Sequence, residues 1–396
     1  MRFLLRGIAV SAVATMSAIS AISLALATPA VFAQPPAGTA GATTGDANVV
    51  NTNATPDAAK PTLVIGGLIQ GQFEDGDRGD SRFPATGADR FLIRRARLNA
   101  TGTFPEDFDY RLEFDLANSL SAVTGLRAQL TDGYVNWNHF SFANVRAGQF
   151  KTPFGFEQLY ADPKLITAER SLANDRLTLN RQLGVQLWGN FLDQRLTYAV
   201  GTFNGNGANN NSNDNSKFVY AGRVTVVPWK SADGGSWSLG GNAFSSEDTA
   251  LALSDLNLDS TPTTTDKDGL FTGKRHGYGV DSQIETGPFS LWVEYIKVRF
   301  EPTDARPAAQ FDSDGGYVQA ALFVVPKRVQ VVLKYETFDP QTGLSGNDVS
   351  TWTGGLNYYV RGNNLKLVLN YLRTDLGASS PLSKQNKVIL RFQAMF

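Results

Sequence analysis

The residues best equipped for chemistry in this sequence are cationic, and they are spread along the chain rather than gathered. Between Val145 and Arg181 the chain carries Lys151, Lys164, Arg170, Arg176 and Arg181; elsewhere Arg94, Arg95, Arg97, Arg111, Arg223, Lys334 and Arg391 sit within runs that alternate apolar and polar residues. An arginine fork grips two oxygens of an oxyanion at once, and lysine supplies a point charge. Held in a narrow, partly desolvated passage, such side chains act as stepping stones for anions. Acids answer them: Glu157, Asp162, Glu169 and Asp175 match Lys164, Arg170, Arg176 and Arg181 one for one. A balanced set suits a transverse field across an unselective passage equally well.

No catalytic constellation accompanies these cations. His139 and His276, the two histidines, have no metal-ligand pair or nucleophile beside them. Asp75-x-Asp77-x-x-Asp80 lacks the later glutamate and the spacing of a calcium loop. The Arg78-Gly79-Asp80 triplet is too short to carry meaning, and Asp255, Asp259, Asp266 and Asp268 read as a solvated loop. Neither a metal nor a cofactor is expected.

The elements that must position the cations are strands. From Thr62 onward, alternating segments recur at about 62–72, 89–103, 108–118, 126–138, 142–152, 181–191, 194–204, 217–229, 235–246, 275–286, 288–300, 313–326, 327–338, 350–361, 363–375 and 384–396, sixteen in all. Gaps between them alternate short and long, with long ones at 73–88, 153–180, 205–216, 247–274, 301–312 and 376–383 and a moderately long one near Asn118 to Gly125. That alternation is the signature of an outer-membrane barrel, with tight turns on one side and long loops on the other. Arg111, Glu113 and Asp115 alternate with Tyr110, Leu112 and Phe114, and Gln330, Lys334 and Glu336 with Val331, Leu333 and Tyr335. A charged inner face and an apolar outer face fit a water-filled barrel; a soluble sheet would show the same alternation turned inside out. Charges at mid-strand, which a dry core would not tolerate unpaired, favour the barrel. So do aromatics near strand ends, at Trp137, Phe150, Trp229, Trp237, Tyr358 and Tyr359, and a last strand that closes on Phe396 as outer-membrane sorting signals do. The expected fold is therefore all-β, a sixteen-stranded antiparallel transmembrane barrel. The long polar stretch after Pro153, the third long connection, is expected to fold into its lumen and narrow it.

The flanks fit export. Arg2 and Arg6 precede the apolar run Gly7 to Leu26, and Val31-Phe-Ala33 offers a cleavage site, with Ala25-Leu-Ala27 as a second. Residues 1–33 are read as a signal peptide, 34–61 as a disordered periplasmic leader too poor in large apolar side chains to bury a core, and 62–396 as the barrel. The chain of 396 residues has no cysteine, so disulfides do not staple it. Its formal charge of −1, made slightly more acidic by losing Arg2 and Arg6, offers nothing to nucleic acid.

Arg146-Ala-Gly-Gln-Phe-Lys-Thr-Pro-Phe-Gly-Phe-Glu157, Asn180-Arg-Gln-Leu-Gly-Val185 and Gly354-Gly-Leu-Asn-Tyr-Tyr359, with Asn370-Tyr371 and the Arg94-Arg95 pair, resemble the phosphate-selective porin O and P family. The likeness runs from about Thr62 to Phe396. It implies a homotrimeric porin of the bacterial outer membrane, seated in lipid, with an inward third loop and basic residues that pass phosphate or polyphosphate. Arg94, Arg95, Lys151 and the Arg181 motif are the positions it carries over. Two rival expectations are a general-diffusion or sugar-admitting porin, and a surface-binding barrel acting through loops such as Asn204 to Asn215.

Overall fold

In the computed structural model, residues 61–83, 89–104, 107–117, 128–253, 270–303, 310–377 and 384–396 are described. The expected signal peptide, the leader and the Asp255–Asp268 acids lie outside these residues. Sixteen antiparallel strands close into one barrel: β1 (Val64–Gly76), β2 (Arg90–Phe104), β3 (Phe108–Asp115), β4 (Gln129–Trp137), β5 (Asn144–Lys151), β6 (Arg181–Phe191), β7 (Leu196–Phe203), β8 (Val219–Lys230), β9 (Ser236–Ala252), β10 (Leu270–Thr286), β11 (Phe289–Pro302), β12 (Phe311–Val325), β13 (Val329–Asp339), β14 (Val349–Arg361), β15 (Leu365–Asp375) and β16 (Lys384–Met395). Each strand pairs with its chain neighbours, and β16 closes on β1 through Gln393 opposite Gln70 and Arg391 opposite Gln72.

Alternation has the inside-out sense. On β13 Leu333 is 54% exposed on the outer wall while its neighbour Lys334 is 1% exposed within. Leu367, Leu369 and Tyr371 face out on β15, and Lys366, Val368 and Asn370 are buried between them. The soluble arrangement is thereby excluded. Two sequence expectations need correction. Phe150 and Tyr359, read as girdle aromatics, are buried inside, whereas Trp137, Trp229 and Tyr358 stand exposed near the short turns. The loop expected at 247–274 is shorter, because β9 and β10 keep pairing past Glu247 and Lys274, up to Ala252 opposite Leu270. Polar sequence there reads as loop, yet strand pairing needs no apolar face once the wall rises clear of lipid.

The third long connection, residues 152–180, enters the lumen. Its opening depends on two glycines. At Gly148 (φ +131°) a Cβ would lie 2.2 Å from the Gly133 carbonyl oxygen, and at Gly155 (φ +80°) 2.6 Å from Thr178 Cγ2. Between them Pro153 ends the ladder. Thereafter come the helical turn Phe156–Leu159, a 3₁₀ turn Asp162–Lys164 and the helix Leu172–Leu177, whose first turn is capped by Ser171 Oγ accepting from Asn174 N–H at 3.3 Å. Apolar side chains of this loop, among them Phe154, Leu172, Leu177 and Leu179, pack on inward residues of the far wall, including Phe244, Phe271, Val298, Phe300 and Phe338. Burying that apolar surface is what drives the loop inward.

Candidate functional site

Polar contacts fix the loop once apolar packing has brought it across. On β11 the Glu294 carboxylate accepts from Phe156 N–H at 2.5 Å, Glu157 N–H at 3.0 Å and Asn174 Nδ2 at 2.6 Å. From β13, Lys334 Nζ donates to Glu157 Oε1 at 2.9 Å, and Glu157 Oε2 accepts from Ser171 N–H at 2.6 Å. Lys366 Nζ on β15 donates to Leu165 O at 2.9 Å; Asn357 and Asn370 bond the loop backbone at Ile166 and Ala168. Arg391 on β16 donates to Ala168 O and pairs with Glu169.

On the nearer wall, β2 carries an extra residue. Gln70 opposes Arg95 while the next residue, Gly71, opposes Ile93, so Arg94 is bulged. Strict alternation would send one of two adjacent arginines into lipid; the bulge lets both reach the loop. Arg94 grips Glu169 through Nε and Nη2 at 2.9 and 3.0 Å, and Arg95 lies 3.1 Å from Asp162. Arg97 reaches Asp162 at 2.6 Å and Asp115 at 3.0 Å. Within the loop, Arg170 donates to Asp162 at 2.5 Å and to the carbonyls of Glu157 and Tyr160. Burial works to raise the Asp162 carboxyl, but Arg170, Arg95 and Arg97 outweigh it and hold the group well below its ordinary value. Glu169 follows the same logic, with Arg94 and Arg391 overcoming burial.

The sequence-named cations thus fall into two overlapping sets, since Arg97 and Lys151 both bond the loop and line a cavity. Arg94, Arg95, Arg170, Lys334 and Arg391 bond the loop to itself or to the wall. Arg176 ties the loop to the connection between β1 and β2, donating to Ser81 O at 2.7 Å, and Lys164 belongs to the 3₁₀ turn. The second set, Arg97, Arg111, Lys151, Arg181 and Arg223, lines a cavity of about 420 Å³ between the loop and the strands from β1 to β8. It runs from Pro153 and Asp162 on the loop to Asn364 in a short turn, so it occupies the half of the lumen nearer the short turns.

Within the cavity some cations are matched and others are not. Arg181 is tied to Asp132 at 2.9 Å, Arg111 to Glu113 at 2.6 Å, and Arg223 to Asp281 through both terminal nitrogens. Lys151 Nζ donates only to the main-chain carbonyls of Gln158 and Tyr160, at 2.7 and 3.2 Å. A further arginine, Arg146, lines the same space, and the sequence reading did not select it. It lies 6% exposed on β5, its guanidinium 4.2 Å from the centroid of Tyr134 and 5.4 Å from that of Phe150, with Nε donating to Asn136 Oδ1 at 2.7 Å. Neither Arg146 nor Lys151 has a carboxylate ion-pair partner among the described residues. On the arginines that line the cavity, Nε and Nη1 of Arg111, Nη2 of Arg146 and Nε of Arg223 are buried without a hydrogen-bond partner among the described residues. A buried donor left unpaired is costly, and that cost is concentrated in the arginines round this cavity. Parity with Asn144, two residues earlier on the inner face, was the signal that could have found Arg146.

Comparison with known proteins agrees with this geometry. No curated protein matches the chain by sequence. Among solved structures, an anion-selective porin from Comamonas acidovorans aligns at a TM-score of 0.60 and 13% identity, over 85% of this chain and 100% of that one. The outer membrane channel DcaP of Acinetobacter baumannii aligns at 0.56 and 15%, over 86% and 98%. OmpT of Vibrio cholerae in its trimer form aligns at 0.57 and 13%, over 85% and 99%. Identities this low show a shared fold. Residues 64–396 match the model of the phosphate-selective porin O and P family. With a closed barrel, an inside-out wall and an inward third loop on the page, the chain belongs to that family and is a diffusion channel of the bacterial outer membrane.

Proposed function

We propose that this porin conducts small anions in preference to cations, phosphate among them, and that it works as a homotrimer. One observation carries the ionic preference: the cavity is lined by Arg97, Arg111, Arg146, Lys151, Arg181 and Arg223 against the carboxylates of Glu113, Asp132 and Asp162, and Arg146 and Lys151 lack carboxylate partners among the described residues. An entering oxyanion is drawn by the surplus of cationic side chains, whereas a cation is repelled by it in a space of low dielectric. Where the loop docks on the wall the cations are matched by Glu169 and Glu157, which supports a selectivity seated in this cavity rather than spread through the barrel. Family membership and the anion-selective neighbour support this reading, and the neighbour in trimer form supports the oligomer.

Planar-bilayer recording in a potassium chloride gradient, with phosphate titrated in, tests it. A reversal potential leaning to chloride, with phosphate blocking the chloride current, is the expected result. A weakly selective conductance indifferent to phosphate would make general diffusion the function instead. Cross-linking in detergent tests the trimer.

A further inference from the structure

The cavity beneath the loop is not uniformly polar. Facing its cations are Leu68 on β1, Met395 at the end of β16, and Leu159, Ala161 and Pro163 on the inward loop. Leu68 is 4% exposed and stands opposite both Arg97 and Met395 in the strand register, so apolar and cationic walls adjoin. Hydrated inorganic anions have no use for such a wall, because wetted apolar surface only raises the free energy of a pore. An anion with a hydrocarbon body would cover it. The volume, about 420 Å³, falls within the roughly 300–1,000 Å³ of small-molecule sites, and the mixture of apolar lining with a few convergent charged groups is what such sites show. Arg146 adds a geometric element. Stacking on Tyr134 fixes the plane of its guanidinium, and no carboxylate of the described residues neutralises it.

We propose that this cavity binds an organic anion made of a carboxylate on a ring or short hydrocarbon body, with the carboxylate on Arg146 and the body against Leu68, Met395 and Pro163. This rests on the anion-conducting reading above and narrows it to a substrate class. Binding involves no covalent step; the solute exchanges water on both walls and leaves toward the short turns.

Single-channel recording of the full-length porin tests it, with benzoate, acetate and inorganic phosphate added singly to the chloride current. Benzoate should block at roughly tenfold lower concentration than acetate, the gain expected from covering ring surface. Leu68→Thr and Met395→Gln, on different strands, should each erase that advantage while acetate and phosphate block as before. Arg146→Gln should weaken block by all three, and Arg146→Lys should restore part of it. If benzoate blocks no better than acetate in the unaltered channel, the organic-anion proposal is overturned while anion conduction stands. Benzoate block unchanged in both apolar-wall variants overturns it too, by placing the ring elsewhere. A channel that none of the three anions blocks and that favours cations removes the anion-conducting reading itself.

Discussion

Arginine and lysine serve two purposes in this lumen, and the partner of each side chain decides which. Lys334 and Glu157 are both 1% exposed and meet at 2.9 Å beneath the loop. Removing one member of such a pair strands a buried charge, at a cost of about 3–5 kcal/mol. Lys334→Met should therefore loosen the loop and lower thermal stability by that order, and Lys334→Met with Glu157→Gln should recover part of the loss; a double variant no better than the single would show that the charges do not interact. Asp162 sets the acid limit of the same assembly. Its carboxyl is held below the ordinary 3.8 in the folded state, so its stabilisation is complete above the ordinary range and disappears only as pH falls through the depressed value. Conductance steps should keep their size down to about pH 4, and loop release near pH 5 would contradict the assignment. Residue types alone could not sort these roles. Lys334 and Arg111 look alike in sequence, each on the polar parity of its strand, and only the loop lying over one of them makes the difference.

At the scale of elements, the inward loop and the wall that receives it form one apolar unit. Phe154 is fully buried, its ring edge-on to Phe244 with centroids 4.7 Å apart. Truncating a buried phenylalanine costs about 3–5 kcal/mol, so Phe154→Ala should leave the barrel closed but the loop loosely docked. Larger, noisier conductance steps would show it, and steps of unchanged size and noise would refute it. Gly155→Ala should act in the same direction, because its backbone is left-handed and Thr178 stands where the methyl would go. The strands themselves were legible, since the two-residue period holds along each segment between isolated bulges. Docking was partly legible. On β11 the inward positions Trp292, Ile296, Val298 and Phe300 are apolar, as are the outward Leu291 and Val293. A strand greasy on both faces in a barrel with a wet lumen announces that something dry covers it from inside. What covers it could not be read, because Phe154 and Phe300 meet through the closure of the whole barrel. The Arg94 bulge was hidden for a related reason: one extra residue shifts parity without changing composition.

Across the whole molecule, the wall is uneven in height. β9 and β10 each run for seventeen residues, whereas β3, β5 and β7 have eight and β4 has nine. At about 3.3 Å per residue and a tilt of about 45°, eight residues climb roughly 19 Å, short of the apolar band of about 25 Å that lipid demands. Seventeen climb roughly 40 Å, which carries β9 and β10 clear of the membrane and accounts for outward charges such as Lys297 and Arg299 near the top of β11, both paired with Asp312. A low wall exposed to lipid would leave loop backbone in hydrocarbon without partners, which is strongly disfavoured. In the proposed trimer that wall is covered by the neighbouring copy. Its outer face suits the purpose, with Leu112, Val135, Ala147 and Val185 exposed and no charge among them. Val135→Arg or Ala147→Arg should therefore abolish the cross-linked trimer, while Leu333→Arg, on the outer face of the taller β13, should leave the trimer assembled and instead impair insertion into lipid by about 2–4 kcal/mol. A trimer that survives both low-wall arginines would move the contact surface to the tall side and would require another account of how strands of eight residues meet the membrane.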